Sequence, residues 1–85
     1  MAENDADFRA AVAAVPALTQ DPGNDTKLRL YALYKQATEG DAQGKRPGFT
    51  NPVGRAKHDA WAAVQGTDPD VAKAQYVEVV RGLTG

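Results

Sequence analysis

The chain has 85 residues, of which 42% are hydrophobic and 25% charged, and a net charge of −1; that length fits one domain with a single modest core. It has no cysteine, which excludes disulfide staples and thiolate metal sites, and no apolar run near the ~20 residues of a membrane span. The opening Met1-Ala2-Glu3-Asn4-Asp5 is acidic and polar, unlike a secretory leader, so residues 1–85 are read as one soluble, cytoplasmic domain.

In chain order, Phe8, Ala11, Val12 and Val15 follow the i, i+3, i+4, i+7 stripe of an amphipathic helix, with Asn4 or Asp5 as its expected cap. Pro16 follows that stripe, and Pro22-Gly23 breaks the chain. Asn24 or Asp25 is the expected cap of a second helix, which runs through Leu28 to about Thr38 and ends at Gly40. The connection from Gly40 to about Asn51 is long beside the roughly two to eight residues usual between bundled helices, and long ordered loops tend to carry function. Pro52 suits the first turn of a third helix, with Ala56, Ala60, Ala63 and Val64 on one stripe, Lys57, Trp61 and Val64 on the next, and Gly66 at its end. Thr67-Asp68-Pro69-Asp70 has the form of a helix start, and the fourth helix carries Ala72, Tyr76, Val79, Val80 and Leu83. With no strand alternation, repeat or sustained heptad, the pattern predicts an all-α four-helix bundle. Phe8, Val12, Val15 and Leu18 of the first helix are expected to close the fold against Tyr76, Val77, Val80 and Leu83 of the last.

Charge is segregated. Residues 27–57 hold seven of the ten bases (Lys27, Arg29, Lys35, Lys45, Arg46, Arg55 and Lys57) and only two acids, a balance of +5 against −6 for the remainder. Such a zone on an otherwise acidic chain attracts a compact polyanion and discourages indiscriminate nucleic-acid binding. Within it, Leu28, Tyr31 and Lys35 share one face of the second helix, and Tyr34 lies one turn from Tyr31. An aromatic face, a phenol and an ammonium on one stripe suit a ligand that is part aromatic, part phosphate and part apolar. The plainer reading makes the tyrosines core residues with satisfied hydroxyls and the lysines snorkelling stems. Lys57, with Arg55 close in sequence, can converge with Lys35 on phosphate, which lysine serves as a point charge. Catalytic arrangements are poor: His58 is the sole histidine and has no partner for a metal site, Asp59 beside it does not share its helix face, and there is no nucleophile elbow or phosphate-cradling loop.

Leu30-Tyr31-Ala32-Leu33-Tyr34-Lys35-Gln36-Ala37-Thr38-Glu39-Gly40-Asp41, followed in order by Arg46-Pro47-Gly48, Ala56-Lys57-His58-Asp59-Ala60-Trp61, Gly66-Thr67 and Tyr76, resembles the acyl-CoA-binding protein family from about Phe8 to Leu83. The resemblance implies an up-down-down-up four-helix bundle. It also implies a monomeric, non-catalytic carrier that binds one medium- to long-chain fatty acyl-CoA, shields its thioester and buffers its concentration, with no cofactor and no metal. Carried over by position, Tyr31 and Lys35 would meet the 3′-phosphorylated adenosine, Lys57 the 3′-phosphate, and Tyr34 and Tyr76 would complete the head-group site. Leu28 and Ala11 would line the acyl path, with Lys27, Arg55 and His58 as secondary contacts. The chain departs from the family in having His58 where tryptophan is usual, and Pro16 and Asp21 where lysines are common. Expected partners are the acyl-CoA ligand and, transiently, acyl-CoA-using enzymes or a membrane surface, with no nucleic acid. The competing class is a helical module that uses the basic zone 27–57 to bind a protein or an anionic membrane.

Overall fold

The chain forms α1 (Ala2–Ala14), a 3-10 turn at Val15–Ala17, α2 (Asn24–Glu39), α3 (Pro52–Ala63) and α4 (Pro69–Thr84), with no strand among the described residues. The computed structural model describes residues 2–84; Met1 of the leader reading lies outside them. Two caps differ from expectation. Helix α1 already begins at Ala2, so Asn4 and Asp5 lie inside it. The side chain of Asn4 is outside the described residues, and the Asp5 carboxylate accepts from Lys73 Nζ of α4 at 2.6 Å. Helix α2 follows Gly23 at φ 93° without a side-chain cap. The organising group there is Asp21: its Oδ1 accepts from the Gly23 N–H at 2.7 Å and its Oδ2 from Lys27 Nζ at 2.9 Å. The other boundaries follow the sequence signals. Asn51 Oδ1 accepts from Gly54 N at 3.1 Å ahead of Pro52, Asp68 Oδ1 from Asp70 N at 2.8 Å ahead of α4, and Gly40 at φ 83° ends α2.

Helix α1 packs on α4, and α2 packs on both α3 and α4. The core joins Phe8 and Ala11 of α1, Leu30, Leu33 and Ala37 of α2, and Ala72, Tyr76, Val77 and Val80 of α4, with Val12, Val15 and Leu83 against it. The expected seam between the first and last helices is therefore present, except that Leu18 lines a hollow beside Leu83. Phe8 meets Tyr76 edge to face at a centroid distance of 5.2 Å and 73°. Full burial of a large apolar side chain contributes about 1.5–3 kcal/mol, so a handful of such residues carries the seam.

The contacts fix the helix directions. Asp5 pairs with Lys73 and Phe8 with Tyr76, so α1 and α4 run parallel. Lys57 lies over Tyr31 and Lys35 over Trp61, so α2 and α3 also run parallel. Gln36, near the end of α2, donates to Thr67 O just before α4 at 2.9 Å, so these two helices are antiparallel. The order is up-down-down-up. Parallel α2 and α3 explain the long connection: residues 40–51 must run back along a 16-residue helix, about 24 Å. Arg46 fastens that return to α3 through a two-pronged pair with Asp59, at 2.7 and 2.6 Å.

A second fastening lies at the far end of α2. Gln36, fully buried, donates from Nε2 both to Thr67 O and to Asp41 Oδ1 at 2.8 Å, and that same carboxylate oxygen accepts from Gly66 N at 2.8 Å. Trp61 Nε1 donates to Gly40 O at 2.7 Å. These bonds tie the end of α2 to the α3–α4 turn, and they hold the Asp41 carboxyl below the ordinary carboxylate range, the Gln36 bond contributing most.

Candidate functional site

A groove of about 370 Å³ runs between the first halves of α2 and α3. Asn24, Lys27, Leu28 and Tyr31 form one wall, and Pro52, Val53, Ala56 and Lys57 the other. The lining follows from helical spacing: Lys27 and Tyr31 on α2, and both Pro52/Ala56 and Val53/Lys57 on α3, are i, i+4 pairs on one face. A shallower hollow of about 260 Å³ continues past Lys27 and Tyr31 to Tyr34, Tyr76, Leu30 and Val15. The three tyrosines of the chain thus surround one depression, with the groove opening from its side. The hollow between residues 17–22 and the end of α4, about 320 Å³, is lined by no base and no aromatic ring, which makes it a poor seat for a ligand of mixed aromatic and anionic character.

Two reciprocal cation–ring contacts stitch the seam between α2 and α3. Lys57 of α3 holds its ammonium 5.4 Å from the centre of the Tyr31 ring of α2; Lys35 of α2 holds its own 4.8 Å from the centre of the Trp61 ring of α3. The two lysines are not equivalent. Lys35 has a side chain only 21% exposed and pairs with Glu39, which, through that hydrogen bond, raises its pKa above the ordinary lysine value. Lys57 is exposed, and none of the ion pairs among the described residues engages it. It is the cation at the groove that a ligand anion meets without displacing a carboxylate.

The tyrosines also differ. Tyr31 is half-buried where groove and hollow meet. Tyr34 is 40% exposed and stacks on Phe8 at 6.0 Å and 23°. Tyr76 is 5% exposed, and burial first, then Tyr34, pushes its hydroxyl pKa up. It stays a neutral phenol that can donate a hydrogen bond across the working pH range.

The structure brings Lys27, Leu28, Tyr31, Tyr34, Lys57 and Tyr76 to the groove and its hollow, with Lys35 one turn beyond Tyr31 on α2. Three residues named from the sequence lie elsewhere. Ala11 is buried in the core and borders a separate depression with Val77 and Val80. Arg55 and His58 are half-buried on α3 outside the groove lining. Both ring nitrogens of His58 are buried and find no hydrogen-bond partner. Sequence reasoning missed Asn24, Pro52, Val53 and Ala56; the spacing rule that aligned Leu28, Tyr31 and Lys35 on α2 also aligns Val53 with Lys57 on α3.

The sequence matches the family described as Acyl CoA binding protein over residues 5–80. The chain belongs to the acyl-CoA-binding protein family. Among acyl-CoA-binding proteins of solved structure, it is similar to Oryza sativa Acyl-CoA-Binding Protein 2, with a TM-score of 0.91 and 38% identity, covering 95% of this chain and 88% of that one. The Ricinus communis acyl-CoA-binding protein is 42% identical over 79 residues, 93% of this chain and 88% of its own length. The rat Enoyl-CoA delta isomerase 2 is 47% identical over 78 residues, 92% of this chain; this chain spans only 20% of that protein, and likewise 20% of the human one. No helix among the described residues is long and apolar enough to cross a membrane.

Proposed function

We propose that this chain is a non-catalytic carrier of medium- to long-chain fatty acyl-CoA, acting as one domain and as a monomer in the cytoplasm, where it shields the thioester and buffers the acyl-CoA pool. The observation that carries this reading is the junction at Tyr31: an aromatic ring with the unpaired Lys57 ammonium above it, set on the shoulder of a groove walled by Leu28, Pro52, Val53 and Ala56. The ring suits the adenine base, Lys57 the 3′-phosphate, and the apolar walls the acyl chain. An ammonium and a phosphate ~4 Å apart attract by about 4 kcal/mol at an effective dielectric of 20, before desolvation is subtracted. Lys35 supplies a second ammonium near the phosphates, and Tyr34 and Tyr76 add phenols at the hollow's edge. Relatives named for binding acyl-CoA support acyl-CoA as the ligand.

Titration calorimetry with palmitoyl-CoA and with CoA tests the reading. Palmitoyl-CoA is expected to bind far more tightly, because the groove accepts the chain that CoA lacks. Equal affinities would remove the acyl groove from the site; no binding of either would remove the head-group assignment as well.

A further inference from the structure

Of the lysines at the site, one already faces a carboxylate across the rim. Lys27 and Tyr31 line both the groove between α2 and α3 and the hollow that continues from it, so they stand where one passes into the other. Lys27 is the base at that junction: Lys57 lines the groove but not the hollow, and Lys35 lines neither. Its Nζ is held by Asp21 Oδ2 at 2.9 Å. Asp21 is itself fixed, because its other oxygen accepts from the Gly23 N–H at 2.7 Å. That bond first, and Lys27 second, keep its carboxyl below the ordinary carboxylate range, so it stays an anion at the edge of a site otherwise supplied with bases. The pair is open to water, with the Lys27 and Asp21 side chains 54% and 68% exposed, and an exposed pair of this kind is weak enough to be exchanged.

The chemistry of the ligand names the group that takes part in the exchange, and here the inference rests on the acyl-CoA reading. Between the adenosine of CoA and its pantetheine arm lies a diphosphate. With the adenine at the Tyr31 ring and the acyl chain along Leu28, Val53 and Ala56, that diphosphate has to cross where Lys27 and Tyr31 stand one helical turn apart. We propose that Lys27 passes from Asp21 to the diphosphate when the ligand binds, and that Asp21 is an attenuator that weakens the hold on the head group and hastens release. A lysine is a point charge on a flexible four-carbon stem, so its ammonium can swing between two neighbouring anions while α2 stays in place. The carboxylate acts twice. In the free protein it competes for the ammonium, and in the complex it is left facing a phosphate of like charge. Both effects shorten the residence of the ligand, the quantity through which most affinity differences are expressed.

Calorimetry with dodecanoyl-CoA tests the exchange. Asp21→Asn keeps an oxygen for the Gly23 N–H, so the turn before α2 is retained while the charge is removed. This variant is expected to bind dodecanoyl-CoA about three- to fivefold more tightly, the upper part of what an exposed ion pair is worth, and to release it more slowly in stopped flow. Lys27→Met keeps the stem and removes the ammonium. In that background the gain from Asp21→Asn should shrink, because only the repulsion between carboxylate and phosphate is left to relieve. With dodecanoyl-dephospho-CoA, which lacks the 3′-phosphate and keeps the diphosphate, the gain should persist. Binding no tighter in Asp21→Asn, or a gain of equal size with and without the Lys27 ammonium, would overturn the exchange; a gain that vanishes with the dephospho ligand would overturn the diphosphate as its target. Failure of the unmodified chain to bind dodecanoyl-CoA would instead overturn the acyl-CoA reading on which the inference rests.

Discussion

At the scale of single residues, the two site lysines make different experiments. Lys57 is exposed and bears only the Tyr31 ring, so Lys57→Glu is expected to weaken acyl-CoA binding by at least about tenfold, a small part of the Coulomb attraction at stake, while thermal unfolding stays nearly unchanged. Lys35 is wedged between Glu39 and Trp61, and its replacement would mix lost binding with lost packing. His58 offers a test in stability. Its two buried, unpartnered ring nitrogens carry a desolvation cost that no bond offsets. His58→Leu puts an apolar side chain of similar volume in its place and removes both, so denaturant unfolding should show a gain of about 1 kcal/mol; a loss would mean that the imidazole is satisfied in solution. Tyr31, Lys35 and Lys57 were legible in the sequence as types and spacings. The cation over Tyr31 was not: the helical repeat pairs Tyr31 with Lys35 on one helix, whereas the fold supplies Lys57 from the next helix and sends Lys35 to Trp61.

At the scale of elements, half of the run Tyr31–Asp41 turns out to serve the fold. Gln36 and Asp41 fasten α2 to the α3–α4 turn through Thr67 O and Gly66 N. Those partners are backbone groups 31 and 25 positions away, which no periodicity announces, so this role could not be read from the sequence. Gln36→Ala is expected to cost about 2 kcal/mol in urea unfolding, from two lost bonds to a fully buried side chain. Asp41 adds a pH dependence of definite sign. Its carboxyl is lowered in the fold by Gln36 and Gly66 from the ordinary 3.8, so its contribution is complete above that value and is lost as pH falls through the depressed one. The drop in urea midpoint between neutral pH and pH below 3.8 should therefore be smaller in Asp41→Asn than in the parent chain. The long connection at residues 40–51 was read as functional from its length alone; parallel α2 and α3 already demand that length.

At the scale of the whole molecule, Cα extents of 37 × 30 × 15 Å describe a slab less than two helix diameters thick, so the groove is an open furrow in a face and not an enclosed cavity. Affinity across a saturated acyl-CoA series should rise by up to ~0.8 kcal/mol per methylene and then level off once the furrow is filled and further carbons lie in water; calorimetry over increasing chain length would reveal the break. The all-α class and the seam between first and last helices were legible because amphipathic stripes are local. The helix directions came only through the family resemblance, since periodicity says which face of a helix is buried and not which way the helix points. One of those directions bears on how the protein is made. Helix α1 leaves the ribosome well before α4, yet α4 is its main partner, and the Asp5–Lys73 bond spans 68 positions. Contacts that close so long a stretch of chain are slow to form. A nascent chain arrested before residue 69 should leave Phe8 and Ala11 uncovered and α1 open to protease, and protection should appear only when α4 has been added. Of these four helices, the first is finished by the fourth.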